Sequence, residues 1–149
     1  MTPALSPLMR LEVLVAPPIA IDPGPPGRRF IPIVGGIVSG GYCGAVLPGG
    51  GDWQSIMGDG RMEISAHYIL ELDGHGMVEI RSDGVRHGPP DVLAALARGE
   101  VVDPALYYFR TVIRMLTSAP GLVRLNGVLA VAVGARRAEG VQIDVFEVG

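Results

Sequence analysis

From Glu63 to Leu72 the chain alternates: Ile64, Ala66, Tyr68, Leu70 and Leu72 fall on one side, and Glu63, Ser65, His67, Ile69 and Glu71 on the other. A period of two belongs to a strand and excludes an amphipathic helix. One face of such a strand needs a core, and both of its edges need partners. Asp73-Gly74-His75-Gly76 reads as a hairpin turn, Met77 to Ser82 as the return strand, and Asp83-Gly84 as a further turn.

The rest of the chain repeats this pattern of short apolar runs and turns. Leu11, Val13 and Val15 mark a first strand ending at Pro17-Pro18, and residues 22–28 form a Pro/Gly loop. Arg29 to Ser39 is strand-like, with a bulge or sharp bend expected at Gly35-Gly36. Asp91 to Arg98 reads as one short helix, with Asp91 as its N-cap and Gly99 at the left-handed position after its end. Leu106–Thr117, Leu122–Val133 and Val141–Val148 read as closing strands. About eight strands and no βαβ unit argue for an all-β antiparallel barrel or sandwich, a single domain over residues 1–149.

Composition narrows the function. The 149 residues are 48% hydrophobic and 18% charged, which suits a packed core and excludes a disordered chain. A net charge of −3 gives no footprint for nucleic acid. The twelve basic residues are all arginine. A single cysteine, Cys43, excludes an internal disulfide. No leader-like segment opens the chain, and no apolar run approaches the ~20 residues of a membrane helix. The expectation is a cytoplasmic protein without nucleic-acid or membrane partners, homo-oligomerisation being left open.

Leu47-Pro48-Gly49-Gly50-Gly51-Asp52-Trp53-Gln54, followed by Asp59-Gly60, holds the only Trp beside three glycines. Either Trp53 plugs the end of a core, or this is a ligand-contacting loop. It is no phosphate cradle, because a P-loop needs Gly-Lys-Ser/Thr and the chain has no Lys. His67, His75 and His87 lie in separate segments, so no metal site is expected. Ser39 and Ser65 lack a nucleophile-elbow context. His67 is either an exposed histidine on an outer face or a proton donor or acceptor lining a lumen. In Tyr107-Tyr108-Phe109-Arg110-Thr111, alternation separates Tyr107, Phe109 and Thr111 from Tyr108 and Arg110. Arg110 either holds a ligand oxygen with its N–H fork or pairs with Asp52 or Asp59 to tie the Gly-rich loop down.

Several segments, in this order, resemble one known family: Ile33-x-Gly35-Gly36-x-Val38-x-Gly40, Leu47-to-Gln54, Asp59-Gly60, Tyr68-x-Leu70-Glu71, Asp103-Pro104, Tyr108-Phe109-Arg110-Thr111 and Leu125-Asn126. The family is domain of unknown function 3237, and the likeness runs from about Leu8 to Val148. The resemblance implies a small closed β-barrel, similar to lipocalin-like and allene-oxide-cyclase-like barrels, with a central cavity and neither metal nor organic cofactor. Some members look like cyclases or isomerases of natural-product pathways, including ring closure by addition of a hydroxyl to an activated alkene. Asp52, Trp53, Asp59, Tyr68, Phe109, Arg110, Thr111 and Asn126 match the family pattern. The chain departs from it at Ser65 and His67 (usually Asp and Arg), at Met115-Leu116-Thr117 (usually Phe-Glu-Thr) and at Arg124 (usually Trp), which implies a remodelled cavity.

The expectation is therefore a closed antiparallel β-barrel of about eight strands, with the 91–98 helix outside it or across one end. It would act as a cofactor-independent cyclase or isomerase on an apolar, polyketide-like small molecule held in the barrel; the alternative is a carrier of a hydrophobic ligand. The candidate catalytic residues are His67, Arg110 and Tyr68. Asp52, Trp53, Phe109, Thr111 and Asn126 are the candidate substrate-binding residues, Asp52 positioning the Gly-rich loop.

Overall fold

The computed structural model describes residues 1–149. Its strands are β1 (Leu5–Val15), β2 (Ile19–Asp22), β3 (Gly27–Gly40), β4 (Gly44–Val46), β5 (Gly51–Ile56), β6 (Met62–Leu72), β7 (Gly76–His87), β8 (Tyr108–Leu116), β9 (Leu129–Arg136) and β10 (Gly140–Val148). One helix, α1 (Pro90–Ala97), joins β7 to β8. Neighbouring strands are all antiparallel, and the order β1-β10-β9-β8-β7-β6 is completed through β4 and β5 to β3, which pairs back to β1. The sheet closes into a barrel with eight positions around its wall. β4 and β5 share one position between β3 and β6, and β2 continues along the β3 edge that β1 leaves after Val15.

Why β4 and β5 are two strands is written in the Gly-rich segment. Gly49 takes φ +109°, a conformation side chains strongly disfavour. A Cβ on Gly50 would lie 2.6 Å from the Tyr68 Cβ, and one on Gly51 would lie 2.0 Å from the Phe30 ring. One glycine makes the turn, and the next two let neighbouring side chains pass.

Three stretches differ from expectation. β7 does not turn at Asp83-Gly84 but runs on to His87. Gly84 is there because a Cβ would meet the Arg110 carbonyl oxygen at 2.1 Å, so the strands approach closely rather than reverse. The stretch from Leu122 is not continuous strand: Val123–Gly127 is a 3₁₀ turn, and β9 starts at Leu129. Asp91 does not cap α1, whose N-cap is Pro89; Asp91 sits in the first turn, where an acid suits the helix dipole. Gly99 does take a left-handed φ of +79°, and the bonds Gly99 N to Leu96 O and Glu100 N to Ala95 O complete a Schellman end.

The barrel interior divides in two. Toward the C-terminal end of β6, Leu11, Val38, Val46, Leu70, Leu72, Val78, Ile80, Ile113, Leu122 and Leu125 are fully buried and leave no room. Each such side chain contributes about 1.5–3 kcal/mol by leaving water. Leu122 and Leu125 plug this end from the 3₁₀ turn. Asn126 holds that turn in place, its Oδ1 accepting from Thr117 N at 2.7 Å and its Nδ2 donating to Thr117 O at 2.8 Å. The other half, toward the N-terminal end of β6 and toward α1, is not filled.

Because Gly50 abuts β6 with no slack, Gly50→Ala should lower stability by roughly 1–3 kcal/mol through overpacking against Tyr68. Denaturant unfolding checks this; a midpoint equal to wild type would contradict the close packing.

Candidate functional site

The unfilled half encloses a cavity of about 60 Å3. Val13, Val15, Ile31, Ile33, Ile64, Val141 and Ile143 give it apolar walls, and Asp52, Gln54, Tyr68, Ser82, Arg86, Thr111 and Arg136 put polar groups into it. Phe109 also lines it, its ring lying where a Cβ on Gly134 would be. Arg86 and Arg136 border a second hollow of about 430 Å3 as well, between the barrel mouth and α1, which Arg29 also lines.

These charges sit inside because strand alternation places them there. Residues 52 and 54 flank Trp53 on β5, residues 82 and 86 share the inner face of β7, and residue 136 is the last inward position of β9. A relay connects them: Arg29 Nε donates to Gln54 Oε1 at 2.7 Å, and Gln54 Nε2 donates to Asp52 Oδ2 at 2.6 Å. Burial pushes the Asp52 carboxyl up from 3.8 to about 6; Gln54, the Ser65 backbone and the charges of Arg29 and Arg86 pull it only part of the way back. Burial, with the charges of Arg136 and Arg29, lowers Arg86 from the usual guanidinium range to about 10. Burial first, and then the Asp52 charge, hold the Tyr68 phenol well above its ordinary range, so it remains a donor at neutral pH.

Four buried side-chain atoms of the protein lack a hydrogen-bond partner: Asp52 Oδ1, Arg86 Nε, Thr111 Oγ1 and Arg136 Nε. All four residues line this one cavity. Buried polar groups are otherwise nearly always satisfied, so four orphans at one place mark a site built for something other than stability.

The structure sorts the expected site residues. Asp52, Tyr68, Phe109 and Thr111 line the cavity. His67 does not: Tyr68 faces inward, so its neighbour must face out. The His67 side chain is about half exposed, with Nε2 3.0 Å from Glu79 Oε2. Arg110 is likewise on the outer wall, its Nη1 donating to Phe109 O at 2.9 Å and its guanidinium 4.9 Å from the Tyr108 ring centroid. It pairs with neither Asp52 nor Asp59. Trp53 is 49% exposed and packs on Phe30 with ring centroids 4.6 Å apart, so it neither plugs the core nor touches the cavity. Asp52 points inward and does not position the loop. Asp59 instead receives Arg61 N at 3.0 Å in a turn, and Asn126 is the latch of the plugged end. The departures from the family pattern at Ser65, His67, Met115, Leu116, Thr117 and Arg124 all lie outside the cavity lining, so they do not remodel it.

Sequence reasoning missed Arg29, Gln54, Ser82, Arg86 and Arg136. Gln54 carried a signal, standing two residues from Asp52 on the same face. Arg86 was hidden behind the misread turn at Asp83-Gly84. Arg136 lies beyond the expected end of its strand at Val133.

The model of a family described as "protein of unknown function" (DUF3237) matches residues 3–148. The chain belongs to that family. A UPF0311 protein of Rhodopseudomonas palustris is 44% identical over 122 residues, 81% of this chain and 80% of its own. Its crystal structure, a conserved protein of unknown function, matches with a TM-score of 0.91 at 39% identity, covering 100% of both chains. A protein of unknown function from Clostridium acetobutylicum matches with a TM-score of 0.89 at 32% identity, over 100% of this chain and 99% of its own. At 17% identity, the structure of an enzyme from Penicillium herquei shares the fold, with a TM-score of 0.77 over 100% of this chain and 96% of its own. No helix of the chain is long and apolar enough to cross a membrane.

Asp52 carries a stability consequence. Its carboxyl titrates at about 6 when folded against 3.8 unfolded, so the folded state holds more protons between those values and loses stability as pH rises through them. Asp52→Asn should therefore raise stability at neutral pH by roughly 2–3 kcal/mol at most, with the gain vanishing near pH ~4. Thermal unfolding of both proteins across this range checks it; a variant less stable than wild type at neutral pH would contradict a carboxylate whose burial costs more than its neighbours return.

Proposed function

We propose that the cavity binds a small, largely apolar, oxygen-bearing molecule and moves a proton on it, as a cofactor-independent isomerase or cyclase. The observation that carries this reading is the set of unpartnered polar atoms on Asp52, Arg86, Thr111 and Arg136 in one otherwise apolar cavity. A catalytic base works best with a pKa near the working pH, and Asp52 at about 6 is ionised, yet still basic, at neutral pH.

In the isomerase form, Asp52 removes a proton from the carbon beside a carbonyl. The charge that develops on the carbonyl oxygen is stabilised by the Tyr68 hydroxyl and by the positive field of the mouth arginines. Asp52 then returns the proton to a different carbon, so no atom is gained or lost. In the cyclase form, Asp52 takes the proton of a substrate hydroxyl as its oxygen adds to an alkene conjugated to the carbonyl, and gives that proton to the carbon left as the enolate. The enclosed space confines the reacting part of a polyketide-like intermediate, and the hollow under α1 takes the remainder. That a protein of the same fold from Penicillium herquei is described as an enzyme supports a catalytic use of such a barrel.

The test is exchange of the α-protons of a small apolar ketone, 2-tetralone, in heavy water, followed by proton NMR. The protein should accelerate exchange, with a rate that rises as pH passes through about 6. Asp52→Asn should remove roughly 10²- to 10⁴-fold of the acceleration. His67→Ala, on the outer wall, should leave it unchanged. Absence of acceleration by the wild-type protein would reject catalysis and leave a carrier of hydrophobic ligands; an active Asp52→Asn would reject Asp52 as the base.

A further inference from the structure

We infer that the ligand of this site is an organic monocarboxylate, its carboxylate held in the barrel mouth by Arg86 and Arg136 and its apolar body lying against Val13, Ile33, Ile64 and Phe109. The inference deepens the reading above and rests on its claim that the cavity takes a small molecule.

Charge balance is the first support. The groups inside the mouth are three guanidiniums, Arg29, Arg86 and Arg136, against one carboxyl, Asp52. All six ion pairs of the protein lie elsewhere, and none involves these three arginines. Arg86 is buried and Arg29 and Arg136 are partly buried, and a guanidinium taken out of water without a counterion is costly. Here the protein supplies two positive charges more than it neutralises, and it places them on the wall of a cavity. A neutral carbonyl would satisfy N–H groups but leave the charge; an anion does both.

The kind of anion follows from geometry and lining. A guanidinium fork matches the two coplanar oxygens of a carboxylate, and the orphaned Nε of Arg86 and of Arg136 each belong to such a fork. Ten of the sixteen lining residues are hydrophobic, a wall that a carbon body fills and inorganic phosphate would leave empty. A dianion would also meet Asp52 with two charges, where a monoanion brings one.

Asp52 gives the site a pH signature. The groups facing it are Arg29 on β3, Gln54 on its own strand, Tyr68 on β6, Arg86 on β7 and Arg136 on β9. Asp52 changes charge between neutral and mildly acid pH, whereas Tyr68 and Arg86 do not. Its protonation removes the one negative charge near the ligand and should strengthen anion binding.

Calorimetry on the full chain with 3-phenylpropanoate, its amide, and inorganic phosphate tests this. The acid should bind at least about 10-fold tighter than the amide. Arg136→Met and Arg86→Met should each weaken the acid about 10- to 100-fold and leave the amide unchanged, with circular dichroism confirming that the barrel is intact. Arg136→Lys should retain part of the affinity, keeping the charge without the fork. Lowering pH from about 7.5 to about 5.5 should tighten acid binding several-fold in wild type and not in Asp52→Asn. Equal affinity for acid and amide, no measurable binding of the acid, or phosphate binding as tightly as the acid would overturn the inference. If the acid binds as expected while 2-tetralone exchange fails, catalysis falls and the carboxylate site stands. If exchange is catalysed while acid and amide bind alike, the reverse holds.

Discussion

β1 pairs with β10 along one edge and with β3 along the other, and on this double pairing the rest of the structure depends. It removes the free edges that an open sheet would expose and gives every strand one inner and one outer face. Once the ring is closed, whether a side chain meets solvent or the interior is settled by the parity of its position. That is why Asp52 and Gln54 are inside while Trp53 between them is out, and why Tyr68 is inside while His67 is out.

The two halves of the interior follow different rules. At the plugged end, leucine, isoleucine and valine fill the space, and a 3₁₀ turn pinned by Asn126 seals it. At the α1 end the same inner face carries Asp52, Arg86, Arg136 and Thr111, each with an orphaned polar atom. A chain selected for stability alone would replace them with apolar residues of similar volume, often at no loss or with a gain. Their presence costs stability that the plugged half supplies, the trade expected where a site is held ready for a ligand.

Much of the fold was legible in the sequence because its signals are local. The alternation from Glu63 to Leu72, the turn at Asp73-Gly74-His75-Gly76 and the glycine after the helix all appear where pattern and turn chemistry put them. Gly84 misled because a glycine that makes room for a neighbouring strand looks like one that makes a turn; only the partner, Thr111, distinguishes them. The site was half legible. Asp52, Tyr68, Phe109 and Thr111 were found on the residues themselves or on family likeness, and they line the cavity. Arg86 and Arg136 were not, because charged residues in a strand normally mark its solvent face. His67 drew attention by residue type, which carries no information about facing; the parity of Tyr68 already opposed it.

The barrel mouth holds a buried carboxyl among arginines that form no ion pair with any carboxylate. A carbon-13 NMR titration of the Asp52 carboxyl in the ligand-free protein measures this arrangement. The midpoint should lie at about 6 in wild type and move higher in Arg86→Met as one stabilising positive charge is lost. A midpoint near the ordinary 3.8, or one indifferent to Arg86, would contradict it.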